Sequence, residues 1–234
     1  MHRGPALLAW LTLSAASSLA TPAADESVDR QTQSALSMDA HPDRGSRAYV
    51  RYCAKCHGPR ALGDAKGGIP ALAGQRYAYL VRQLANFAGA ERDSSTMHGV
   101  VSQAELREPQ NWADIAAYLN GLSGGSPPRS GATRADVALG RGIFHERCAA
   151  CHGLDASGDA DGFVPSLRRQ HYAYLNAQMH KLAEGNRHNV DEDLVLFLKT
   201  FDDREMKATA DYLSRLAGAG VNRKKMRDDG VVVD

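Results

Sequence analysis

The hexapeptide CAKCHG at residues 53–58 returns as CAACHG at residues 148–153, 95 positions later. The register holds around it: shifting residues 53–83 by 95 matches 18 of 31 positions against 148–178 without a gap. The matches include Gly63/Gly158, Asp64/Asp159, Pro70/Pro165, Leu72/Leu167, Gln75/Gln170 and the run YAYL at 77–80 and 172–175. Identity at that density marks a duplication. It divides the 234-residue chain into two units of about 80 residues, near the lower size limit for independent folding.

Apolar spacing makes each unit helical. Tyr77, Leu80, Leu84 and Phe87 fall at i, i+3, i+7 and i+10, one stripe of a helix, and Tyr172, Leu175, Met179 and Leu182 repeat it. A later helix places Trp112, Ile115, Ala116 and Leu119 on one face, answered in the second unit by Met206, Thr209, Ala210 and Leu213. Asp202 and Glu205 have capping-box spacing, and Pro109 suits a first helical turn. Short helices carrying Gly45 and Tyr49, or Gly140 and Phe144, precede the hexapeptides. No strand-like alternation competes, so the expected class is all-α, two tandem domains of about three helices and long loops each. That is too little apolar core to stand unaided.

The hexapeptides supply what is missing. In Cys-x-x-Cys-His two thiols have the spacing to reach the two vinyl groups of a haem while the adjacent imidazole meets the iron. A redox dithiol does not need the histidine, and a closed zinc site wants four ligands where each unit offers one triplet. Two covalent haems c, on Cys53 and Cys56 and on Cys148 and Cys151, then complete the cores, with His57 and His152 as proximal iron ligands.

The flanks set the context. MHRGPALLAWLTLSAASSLATPA has a basic n-region at Arg3, an apolar stretch from Ala6 to Leu13, and Ser18 and Ala20 spaced for signal-peptidase cleavage. Residues 1–20 are therefore expected to be a signal peptide cut after Ala20 or Ala24, leaving no transmembrane segment. The expected order continues with a flexible leader at 21–40, domain 1 at 41–122, a Gly/Ser/Pro linker at 123–134, domain 2 at 135–217 and a flexible tail at 218–234. A net charge of +1 gives no pull toward nucleic acid. It hides an asymmetry: residues 41–122 hold ten Lys/Arg against seven Asp/Glu, residues 135–217 ten against thirteen.

The order CxxCHG, GD, P-x-L, YL-x-x-Q, twice over, resembles the two-haem class I cytochromes c of the cytochrome c4 group, across residues 41–217. The resemblance implies electron transfer in the periplasm of a Gram-negative-type cell, with periplasmic or membrane-bound redox proteins as partners. It implies that the carbonyls of Pro70 and Pro165 accept the Nδ1 protons of His57 and His152, orienting each imidazole. It also implies that the helices of Gly45–Tyr49 and Gly140–Phe144 cross the last helix of their domain.

The resemblance places a distal methionine in the loop before the last helix. In the first unit that loop reads GAERDSSTMHGVVSQAEL, and Met97 is the expected sixth ligand, with His98 beside it as a competitor. In the second unit Met97 maps to Glu192 or, counted back from Tyr118/Tyr212, to Asp191. His188 lies in that loop, Met206 and Met179 lie on packed stripes, and His171 and His180 read as surface. Three alternatives stay open for the second iron: His188, an open site, or a methionine brought in by loop rearrangement, Met206 being the fallback. Two function classes follow. One is an electron shuttle. The other is a haem enzyme, or the cytochrome subunit of an oxidoreductase, with small-substrate chemistry at the second haem.

Overall fold

The computed structural model describes residues 23–125, 133–187 and 189–216. The expected signal peptide at 1–20, most of the linker and the tail lie outside the described residues.

Among the described residues the fold is helical, with only an isolated antiparallel bridge between Asp64 and Ile69. The first unit contains α2 (Pro42–Tyr52), α3 (Ala54–His57), α4 (Tyr77–Ala88), α5 (Ser95–Val101), a 3-10 turn (Ala104–Leu106) and α6 (Pro109–Gly121). The second repeats the order with α7 (Arg134–Ile143), a π-helical segment (Phe144–Cys148), α8 (Ala149–His152), α9 (Tyr172–Ala183), α10 (Glu192–Lys199) and α11 (Asp203–Arg215). Pro109 opens α6, and Asp202 and Glu205 close a reciprocal capping box on α11, through bonds of 2.9 and 2.7 Å.

The two largest helix crossings are set by glycine. A Cβ on Gly45 of α2 would lie 1.9 Å from the Asp114 carbonyl of α6, and one on Gly140 of α7 would lie 2.0 Å from the Ala208 carbonyl of α11. Backbones this close leave no room for any side chain. One turn further on, Tyr49 and Phe144 are fully buried against Tyr118 and Tyr212, with ring centroids 5.5 and 5.8 Å apart. The apolar stripes fill the rest: Leu80, Trp112, Ile115 and Leu119 in one unit, Leu175, Tyr212 and Leu213 in the other.

Residues 21–40 were expected to be a flexible leader, yet Ala23–Leu36 form helix α1, which packs on α4 and α6. Val28, Thr32 and Ala35, at i, i+4 and i+7, are buried along its inner stripe, and Thr32 closes its hydroxyl onto the Val28 carbonyl at 2.7 Å. Gly89 at the end of α4 makes room, since a Cβ there would lie 2.4 Å from Val28 Cγ2. Asp29 of α1 also pairs with Arg82 of α4. No described helix is long and apolar enough to cross a membrane.

Candidate functional site

Each hexapeptide folds as one tight turn of helix ending on a glycine of positive φ. Gly58 has φ 76° and Gly153 φ 77°. The turn presents its first cysteine inward and its second outward: Cys53 and Cys148 are half-buried, Cys56 and Cys151 exposed, and none is in a disulfide. Burial, reinforced by Cys56, pushes the Cys53 thiol up to about 12; burial likewise pushes Cys148 up to about 11. Such thiols are not the activated thiolates of a dithiol oxidoreductase.

The histidines are fixed by their second nitrogen. His57 Nδ1 donates to the Pro70 carbonyl at 3.0 Å, and His152 Nδ1 to the Pro165 carbonyl at 3.1 Å. Burial holds both imidazoles below their ordinary pKa, against the opposing pull of the proline carbonyls. A neutral ring with its Nδ1 proton committed keeps the Nε2 lone pair for a metal. The proline loops are positioned by another duplicated pair. Gly63 (φ 71°) and Gly158 (φ 72°) lie so close to them that a Cβ would approach the Ile69 or Val164 carbonyl to 2.4 Å. Two thiols and a neutral imidazole on one turn, against half-buried Leu72 and Tyr77 or Leu167 and Tyr172, fit a covalently held haem in each unit.

The distal sides differ. Met97 is the third residue of α5 and half-buried, its backbone N–H capped by Ser94 Oγ at 3.2 Å. His98 beside it is exposed: Nδ1 donates to the Phe87 carbonyl at 2.8 Å, and Nε2 faces Ser102 Oγ at 3.4 Å. In the second unit Asp191 stands just before α10 without a side-chain capping bond and Glu192 begins it, both exposed. Met206 is 4% exposed, packed with Ile143, Leu198 and Phe201, and Met179 packs beside it. His188 lies outside the described residues. His180 is half-buried, Nε2 3.4 Å from Asp203. His171, expected at the surface, is instead 6% exposed, because it sits where the two units meet.

That seam is the feature sequence reasoning missed. The side-chain amide of Gln75 pairs with both backbone groups of Ser166, at 2.8 and 2.9 Å, and the amide of Gln170 pairs with both of Ala71, at 2.9 Å each. Arg76 Nε donates to the Ser157 carbonyl at 2.5 Å and His171 Nε2 to the Leu62 carbonyl at 2.7 Å. Every partner in one bond is 95 residues from its counterpart in the other, so the units meet about a pseudo-twofold axis. Further along the seam, Arg92 donates to Tyr174 Oη at 2.7 Å, and Arg187 to Tyr79 Oη at 3.3 Å and to Asn189 Oδ1 at 2.9 Å. The bonds run through Ala71 and Ser166, each next to a proline that holds a proximal histidine. The signal was present in the sequence: these polar residues recur in register in both copies.

Fold and site together define a pair of tandem class I cytochrome c domains. Residues 42–123 and 137–217 both match the family described as Cytochrome c, and the chain belongs to that family. Along its length it is similar to the thiosulfate dehydrogenase electron acceptor of Stutzerimonas stutzeri, 30% identical over 197 residues that cover 80% of this chain and 88% of the relative. Cytochrome c4 of Pseudomonas aeruginosa is 26% identical over 183 residues, covering 73% and 86%. The crystal structure of reduced recombinant cytochrome c4 from Pseudomonas stutzeri superposes with a TM-score of 0.67 at 24% identity, covering 76% of this chain and all of that one. The protein is a cytochrome c4-like dihaem cytochrome that carries electrons between redox partners through two covalent haems c.

Proposed function

We propose that this protein works in the periplasm as the electron acceptor of a thiosulfate-oxidising dehydrogenase and hands the electrons on to a further redox protein. The observation that carries the reading is the likeness to the Stutzerimonas stutzeri acceptor over most of both chains. When bound, each haem holds one electron by cycling between ferric and ferrous iron. Two such centres let one chain take up two electrons from its donor, one on each haem.

In this reading the chain's residues bind, orient and differentiate. Cys53 and Cys56, with Cys148 and Cys151, hold the two macrocycles, and His57 and His152 are the proximal ligands, kept in one tautomer by Pro70 and Pro165. Met97 is the distal ligand of the first iron; its half-buried place in the first turn of α5, beside an exposed His98, supports that choice. The second iron takes no methionine, a reading supported by the packing of Met206 and Met179 into the core. The seam holds the two units in one relative orientation, as inter-centre transfer requires. Thioether ligation raises a haem potential, so unlike distal ligands give the pair a direction.

The test is rapid mixing of the ferric holoprotein with a thiosulfate dehydrogenase and thiosulfate. Reduction of two haems per chain, dependent on the dehydrogenase, is expected. Reduction by thiosulfate alone would move the activity into this chain and favour the haem-enzyme reading. No reduction in a protein that dithionite still reduces would exclude this donor.

A further inference from the structure

Helix α5 carries Met97, and α10 holds the same place in the second unit, between the YAYL helix and the last helix. One anchor fixes the register of each. Val101 is the buried residue of α5, 1% exposed, and Leu198 that of α10, 6% exposed. Four residues back from each anchor, one turn along the same face, stand Met97 in α5 and Leu194 in α10. Both are also the third residue of their helix. The pairs Met97/Leu194 and Val101/Leu198 are 97 residues apart, whereas the YAYL runs are 95 apart and Tyr118 and Tyr212 are 94 apart. The second unit is therefore longer before this helix and shorter after it, where the 3-10 turn Ala104–Leu106 has no counterpart among the described residues. Counting from either end stops at Asp191 or Glu192 for that reason, and misses Leu194.

A leucine has no lone pair to give an iron. The donors near it on α10 do not replace it. Glu192 and Asp193 are hard, exposed carboxylates of the first turn, and Lys199 ends the helix five residues on, off the Leu194 face. Leu194 itself is 37% exposed, with half-buried Val195 beside it, so the polypeptide leaves aliphatic surface there for a haem to cover. We propose that Leu194 takes the distal place in the second unit, and that the sixth position of the second iron is thereby open to a small uncharged ligand. The ligand class follows from the surroundings. Neither Leu194 nor Val195 can donate a hydrogen bond to an anion, and Asp191, Glu192 and Asp193 stand exposed at the start of the helix, where they repel one. The inference rests on the reading that no core methionine reaches the second iron, and not on the identity of the electron donor.

Carbon monoxide titration of the dithionite-reduced, full-length holoprotein tests it, with the sulfur-to-iron charge-transfer band of the ferric protein recorded alongside. The wild type should take up one carbon monoxide per chain. L194M puts a thioether at this place in a side chain of similar volume, and should take up none. It should also double the charge-transfer band and raise the lower midpoint potential. Azide, an anion, should leave the ferric wild-type spectrum unchanged at the concentration where carbon monoxide saturates; azide binding as tightly overturns the ligand class. No uptake by the wild type, or wild-type uptake and band in L194M, overturns the proposal. The two ways of failing are distinct. A band already doubled in the wild type means that a core methionine reaches the second iron, and the parent reading falls with this one. No uptake with a single band means that another side chain closes the position, and only this inference falls. If L194M does not mature with two haems, M97L decides. It gives the first unit the second unit's residue and should raise uptake from one per chain to two, and uptake that stays at one overturns the proposal.

Discussion

Gln75 and Ser166 are joined edge to edge across the domain seam: Ser166 N–H donates to Gln75 Oε1 at 2.8 Å and Gln75 Nε2 donates to the Ser166 carbonyl at 2.9 Å. The same figure is drawn by Gln170 and Ala71. Ser166 follows Pro165, whose carbonyl holds His152, and Ala71 follows Pro70, whose carbonyl holds His57. Each glutamine therefore touches the loop that orients the other unit's histidine.

Gln75→Ala leaves two buried backbone groups of Ser166 without partners, a loss of about 1–3 kcal/mol. Gln170→Ala does the same at Ala71, and because the figure is reciprocal the double variant should uncouple the two domains. Thermal unfolding of the holoprotein should change from one transition to two. A single unshifted transition in the double variant would show that the amide pairs do not hold the seam.

Replacing Cys53 and Cys56 by alanine should leave one covalent haem per chain, seen in the intact mass. The first domain should then unfold far more readily than the second, since the macrocycle completes a small core. Full helicity and wild-type melting in that variant would contradict the role given to the haem.

Gly45→Ala drives a methyl into the Asp114 carbonyl, at a distance where α2 and α6 must separate. A destabilisation of about 1–3 kcal/mol or more is expected, and the same for Gly140→Ala against α11. Chemical denaturation of the two variants measures it.

Acidification should act through Asp114. Burial pushes its carboxyl up, but Arg44, the His41 N–H and Gln110 outweigh that and hold it below the ordinary range. A depressed folded pKa contributes stability above the unfolded value of about 4, and that stability is lost as pH falls through the folded value. Asp114→Asn should therefore flatten the acid limb of the stability curve below about pH 4. An unchanged acid limb would show that other carboxylates govern it.

What the sequence disclosed follows from what repeats and what has a period. The paired CxxCH runs, the Leu80/Trp112/Ile115 stripes and the Asp202–Glu205 box are local patterns, and each sits where its pattern put it. Helix α1 was hidden because its buried stripe is only Val28, Thr32 and Ala35, small side chains in a polar context. The π-helical segment before Cys148 was silent because the two copies align without a gap. The seam was hidden for another reason. Gln75, Gln83, Arg92 and their counterparts look like the solvated face of a single domain, and only a second domain makes them core.

The central claim is that the two copies hold unlike haems. Met97 lies on α5, whereas in the second unit Met206 is packed in the core, Met179 packs against it, and Glu192 or Asp191 stands at the corresponding position in sequence. The direct measurement is a redox titration of the purified holoprotein followed in the sulfur-to-iron charge-transfer band, with the Met97→Ala variant alongside. Two separate midpoints are predicted, with the band carried by the higher-potential haem alone and abolished in the variant. Overlapping midpoints, with the band at full strength for both haems, would contradict it.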